Sequence, residues 1–317
     1  MSANATAASR LANIAKTLPD AERSHRLRLY GLYLFAIATN LAIFIYGFDY
    51  YKLSSIDRPF SPKHHMLRPS GPIGLYLGFV GVTLFVGIFL YPLRKHWSWL
   101  GTKGSTRHWL DIHVLMGLTA PFIIAFHSTL KFKGIAGMAF WIMFAVSASG
   151  VVGRYLYAQI PRKVTTAELS MKELQELQED LAQQLAAQNL LPESDLRALL
   201  RMPDPNRVAR LPIVMALVYM LILDVQRSFR VARLRRHALS FGESFPTIAG
   251  FLPTRNREIE KAIRAAADEA ALSKRILFLS RSQKVFHLWH VVHKPFSYAF
   301  AVLALIHIGL QFVLGYF

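Results

Sequence analysis

Between Trp109 and Leu130 the chain reads WLDIHVLMGLTAPFIIAFHSTL, a run of 22 residues with one acidic side chain and no lysine or arginine. As an α-helix it rises about 33 Å, enough to cross a hydrocarbon layer of about 30 Å. Four more stretches have this character: Leu29–Phe48, Pro72–Leu93, Ile135–Ala158 and Pro295–Phe317. The whole chain of 317 residues is 53% hydrophobic yet carries a formal charge of +18, so apolar and charged residues are segregated along it. Greasy spans joined by basic loops predict an all-α integral membrane bundle of about five transmembrane helices. Cysteine is absent, which excludes disulfides, thiolate-bound iron–sulfur clusters, covalent C-x-x-C-H haem attachment and a Cys nucleophile.

The basic residues orient the bundle. Arg23, Arg26 and Arg28 precede the first span; Arg94, Lys95, Lys103 and Arg107 follow the second; Arg154 lies at the end of the fourth, and Arg162 and Lys163 follow it. Positive loops stay inside, so the N-terminus is expected in the cytoplasm and the C-terminus on the opposite side, in a membrane expected to be a bacterial inner membrane. Residues 1–28 are polar and lack the apolar core of a signal peptide; insertion by the first span itself is expected. The chain then divides into the polar segment 1–28, spans one to four in 29–160, a basic helical insertion on the cytoplasmic side in 161–284, and a final span in 285–317. In the insertion, Thr165-x-x-Glu168 and Ser170-x-x-Glu173 read as capping boxes, and Leu174, Leu177, Leu181 and Leu185 mark an amphipathic helix. Leu211–Leu223 is apolar but too short to span. Arginines on both sides make it an interfacial or buried helix with an arginine-rich continuation. Arg255–Arg281 reads as another charged helix.

Four histidines carry the chemistry. His113 and His127 stand fourteen residues apart in span three; His293 and His307 stand fourteen apart at the last span. That separation is about 21 Å along a helix, nearly four turns, so both members of a pair face the same way near opposite sides of the hydrocarbon. Five-span parity makes the two helices parallel and sets His113 level with His293 and His127 level with His307. Each level then offers two imidazoles across a gap, the arrangement an iron porphyrin takes from its axial ligands and a poor one for zinc without further ligands. Gly117, one turn after His113, leaves room for a flat ring. The glycines of span two, Gly74, Gly78, Gly81 and Gly87, admit either a neighbouring helix or a cofactor, and ordinary helix packing is the simpler account. Pro295 sits two residues after His293, which puts His293 on a kink or just before the span and makes His290 its alternate. His287 and His290 read first as wet interfacial histidines beside Trp289, with a third haem, partnered by His96 or His108, as the alternative. A haem-free transporter or scaffold that uses the histidines for proton relay or packing is the other class of function, and the near absence of acidic residues in the spans argues against it.

Paired His-x13-His helices with one span between them resemble the dihaem b-type cytochromes, among them the cytochrome b of quinol-oxidising complexes and the ferric-reductase-like transmembrane domains. The resemblance implies a bundle that holds two haems b and passes electrons across the membrane, with His113, His127, His293 and His307 as axial ligands. It also admits a quinone as electron donor or acceptor. Arg154, Arg107, Lys294, Lys131 and Lys133 are the cations near span ends that would meet haem propionates, although positive-inside anchoring accounts for each one. No G-x-G-x-x-G stretch is present, so flavin or iron–sulfur chemistry would come from another subunit inside and a cytochrome would serve outside. The basic insertion would contact anionic membrane lipid or seat an acidic redox subunit. Nucleic acid is not an expected partner: no recognition module is present, and the span topology already explains the charge.

Overall fold

A computed structural model describes residues 20–94, 96–160, 191–239, 247–254 and 256–315. Every regular element among them is helical. In chain order these are α1 (Asp20–Tyr51), a 3-10 turn at Arg58–Phe60, α2 (His64–Leu67), α3 (Pro72–Leu93), α4 (Ser98–Gly101), α5 (Thr106–His127), α6 (Gly134–Gln159), α7 (Glu193–Leu200), α8 (Pro205–Arg210), α9 (Ile213–Ala238), α10 (Arg257–Leu277) and α11 (Leu279–Val313). Five helical stretches among the described residues are long and apolar enough to cross a membrane: Ser24–Tyr51, His64–Leu93, Thr106–His127, Gly134–Gln159 and Leu279–Val313. The protein is an all-α integral membrane bundle. Residues 1–19, both capping boxes and the leucine helix at Leu174–Leu185 lie outside the described residues. The first helix starts at Asp20, before the apolar run, because nothing in DAERSHRLR breaks a helix.

The chain forms two compact units, Met1–Arg154 with Trp289–Phe317, and Tyr155–Leu288. In the first, the span unit, α3 and α1 both pack on α5. Three glycines of α3 take side chains of α5, while Gly74 lies against the Arg68 backbone. A Cβ at Gly78 would lie 2.9 Å from the His127 ring, one at Gly81 would meet Ile124, and one at Gly87 would meet Met116. Span two therefore spends these glycines on its neighbouring helix. Tyr50, Tyr51, Leu67, Leu77, Ile123 and Phe126 form a core at the His127 end. Long runs of exposed apolar side chains, such as Leu34, Phe35 and Ile37, cover the outside, as lipid contact requires.

The second, the insertion unit, is built as a water-soluble helical domain is. Helix α10 buries Ala262, Ile263, Ala266 and Ala270, spaced three and four apart, against Leu196, Leu199 and Leu234. Its N-cap Asn256 accepts from the backbone N–H groups of Glu258 and Ile259. Most charged groups inside this unit are paired; the exception is Glu269, buried without an ion pair among the described residues and accepting from the Ser273 hydroxyl. Arg235 donates to both carboxylate oxygens of Glu260, at 3.0 and 3.2 Å, and Arg264 adds a third contact. Lys274, only 4% exposed, donates to Asp224 at 2.6 Å, and the Tyr155 hydroxyl donates to the other Asp224 oxygen. Burial pushes the Lys274 ammonium below its ordinary range, against the pull of Asp224. The apolar segment at Leu211–Leu223 belongs to α9, which runs on through the arginines to Ala238. Its exposed side carries Val214, Val218, Ile222, Val225 and Phe229.

Candidate functional site

The four histidines come together in two pairs within the span unit. His293 lies within electrostatic range of His113, and His307 within range of His127. These are the partners that parallel helices require. Pro295 lies inside the continuous α11, so His293 is a helical residue rather than one preceding the span.

The ring orientations are set by neighbours. His127 Nδ1 lies 2.8 Å from the Gly74 carbonyl oxygen, and His113 Nδ1 lies 3.0 Å from that of Ile88. A carbonyl oxygen only accepts, so both rings carry their proton on Nδ1 and leave the Nε2 lone pair free. The two carbonyls are themselves fourteen residues apart on α3 and match the histidine spacing on α5. Ile88 O is available for a reason visible in the chain. Pro92, four residues on, has no N–H to give it, and His113 supplies the missing donor. The same device recurs at Pro121 of α5, which frees the carbonyl of Gly117; Ser147 Oγ of α6 donates to it at 2.6 Å.

On the other helix, the Ser149 hydroxyl donates to Val146 O at 2.8 Å and so accepts from His293 Nδ1, also at 2.8 Å. Three of the four rings thus have Nδ1 engaged and Nε2 free. Trp289 donates its indole N–H to Ser149 O, packs at a tilt against His293 with ring centroids 4.5 Å apart, and fills the notch at Gly153. A side chain at Gly117 would enter open space, with nothing within 4 Å.

Other expected residues do different work. Arg154 is ion-paired with Asp111 at 2.6 Å, inside the bundle. Asp111 is 5% exposed and also meets His25 Nε2 at 3.2 Å. This cluster was missed because no spacing rule links residues 25, 111 and 154. The signal that existed was a lone aspartate at the start of an apolar span, which must be paired to be buried. His108 stacks on His25, ring centroids 3.6 Å apart, while His96 and His287 are exposed. His290 packs edge-on against Trp289. Lys131, Lys133 and Lys294 are exposed. Among the described residues there is no group of three or more His, Cys, Asp or Glu arranged to hold a metal ion.

No family model matches the chain, and neither a curated protein nor a solved structure does.

Proposed function

We propose that the chain is a dihaem membrane cytochrome of b type, the electron-conducting subunit of a larger oxidoreductase. The observation that carries this reading is that His293 lies within electrostatic range of His113 and His307 within range of His127, with Nδ1 engaged on three of the rings. Two protein ligands are what an iron porphyrin needs, since the macrocycle supplies the other four nitrogens. The residues fit the group. His113 and His293 would hold one iron and His127 and His307 the other, while the open space at Gly117 accommodates a ring edge. Haem bound there supplies a one-electron iron couple. The chain's own part is to fix the imidazole tautomers through Ile88 O, Gly74 O and Ser149 Oγ, and to keep lipid and water from the ligands.

The haem pairs would pass electrons between a quinone, or a flavin or iron–sulfur partner on the inner side, and an acceptor such as a cytochrome on the other. The basic insertion unit suits an acidic partner by electrostatic steering. One observation favours the other reading, a haem-free relay: Asp111 is an acid buried in a span and touching a histidine. Its pairing with Arg154 weakens that reading, because a relay step would have to break a buried charge pair.

The test is a reduced-minus-oxidised absorption spectrum of the purified full chain, with haem counted per chain. A b-type spectrum with two haems, falling to one in His127→Ala or in His293→Ala, is the expected result. A haem-free protein from a haem-replete host would leave the relay.

A further inference from the structure

At the His127 end of the span unit a buried cation has no acid. Arg58, 7% exposed, sits in the connection between α1 and α3. Its Nε donates to Leu53 O at 3.1 Å, one terminal nitrogen to Tyr51 O at 2.9 Å and the other to Thr129 O. Those bonds use three of the five N–H groups of a guanidinium. Among the described residues no carboxylate forms an ion pair with it, although burying an unpaired charge is costly.

Two of the residues whose carbonyls it holds carry buried hydroxyls without partners among the described residues. Tyr51 OH belongs to a residue 5% exposed and lies within electrostatic range of Arg58; Thr129 Oγ1 belongs to a residue with no exposure at all. Each leaves a buried donor unspent, and each is on a residue whose backbone carbonyl Arg58 holds. Thr129 is also strained: its φ is +51°, in the left-handed region that a β-branched residue avoids. Strain of that kind persists where the surroundings enforce it and gathers at binding sites. Thr129 stands two residues beyond His127.

We infer that Arg58, Tyr51 and Thr129 form a carboxylate-binding site, and that it takes a propionate of the haem held by His127 and His307. This rests on the dihaem reading. The charge, the spare N–H groups and the two idle hydroxyls all ask for an anionic acceptor, and a carboxylate has enough lone pairs for all of them. The exposed lysines Lys131 and Lys133 offer only solvated charge.

Arg58 also ties three loop carbonyls, so replacing it mixes folding with binding. The near-isosteric Tyr51→Phe and Thr129→Val changes remove hydroxyls that nothing in the protein uses, and in haem-free protein they cost no stability. In the haem-loaded full chain the double variant keeps two haems. One of them has a lower midpoint potential by spectroelectrochemical titration and is released about tenfold faster to an excess haem acceptor. The other haem does not change. Reconstitution with haem whose propionates are methyl esters removes the difference between wild type and variant. Two haems with unmoved midpoints and release rates overturn the inference and leave the dihaem reading intact. A wild-type shift on adding acetate, absent from the variant, overturns the propionate assignment in favour of a free carboxylate. Wild-type protein without haem overturns both.

Discussion

The two units treat buried polarity in opposite ways. Among the described residues of the insertion unit, the two buried basic side chains each meet a buried or half-buried carboxylate: Arg235 holds Glu260 and Lys274 holds Asp224. In the span unit the polar side chains lean on backbone instead. His113 and His127 bond to carbonyls of α3, Ser147 to a carbonyl of α5, and Arg58 to three carbonyls. Exceptions are Asp111 with Arg154 and His25, and His293 with Ser149. The insertion unit sets its buried bases against carboxylates, whereas the span unit leaves the Tyr51 and Thr129 hydroxyls without partners among the described residues. The contrast shows where each unit's stability resides: in ion pairs with a leucine core for one, in helix contact through glycines for the other.

The contrast is broken most strongly at Arg235. Arg235→Ala leaves the buried Glu260 with only the exposed Arg264 and the Thr254 N–H, and should cost the insertion unit about 3 kcal/mol. Limited proteolysis within Tyr155–Leu288 should speed up while the haem count stays at two; loss of haem in parallel would show that the units do not keep separate accounts of stability.

Gly78→Ala is the matching perturbation of the span unit. Its Cβ would lie 2.9 Å from the His127 ring, so the ring or α3 has to move. A cost of about 1–3 kcal/mol is expected, seen as reduced occupancy of the haem at His127 and His307 with the other spectrum preserved. An unchanged spectrum would mean that the Gly74 carbonyl does not fix that ring.

The smallest effect is a pH profile. Burial alone would raise the Glu260 carboxyl, but hydrogen bonds from Arg235, Arg264 and the Thr254 N–H outweigh it and hold the group below its ordinary 4.5. Its contribution is present above 4.5 and is lost as pH falls through the lower folded value. Glu269 is raised by burial, with only Ser273 opposing, so its folded form prefers the proton and the unit gains stability as pH falls from neutral toward 4.5. Thermal melting of the full chain, followed by cleavage of the insertion unit, should show a maximum between these two limbs. A monotonic fall from neutral pH would remove Glu269 from the account.

The spans were legible because an apolar run of that length has few other uses, and the levels of the four histidines followed from fourteen residues of helical rise. The Ile88 carbonyl was legible in principle, since Pro92 announces that it lacks its usual donor. Arg58 and Thr129 were not. They lie in connections, where no period relates one residue to another, and the left-handed backbone at Thr129 has no sequence mark because the residue there is not glycine. Asp111 and Arg154 were each visible, but the bond between them depends on how α5 and α6 pack. In the insertion, the apolar segment and its arginine-rich continuation together make α9, because arginines extend a helix without adding to its apolar face.

The prolines at positions 92 and 121 also bear on how the bundle assembles. Inside a bilayer, helices gain little from hiding apolar surface from one another, since lipid is as good a neighbour. A carbonyl stripped of its N–H is different, because lipid has nothing to offer it. Pro92 makes α3 seek a donor at one level, and α5 has His113 there; Pro121 makes α5 seek one in turn, and α6 has Ser147. Each proline thus names the next helix in the row. The residue usually blamed for breaking a helix here specifies which helix stands beside it, in the order in which the chain presents them.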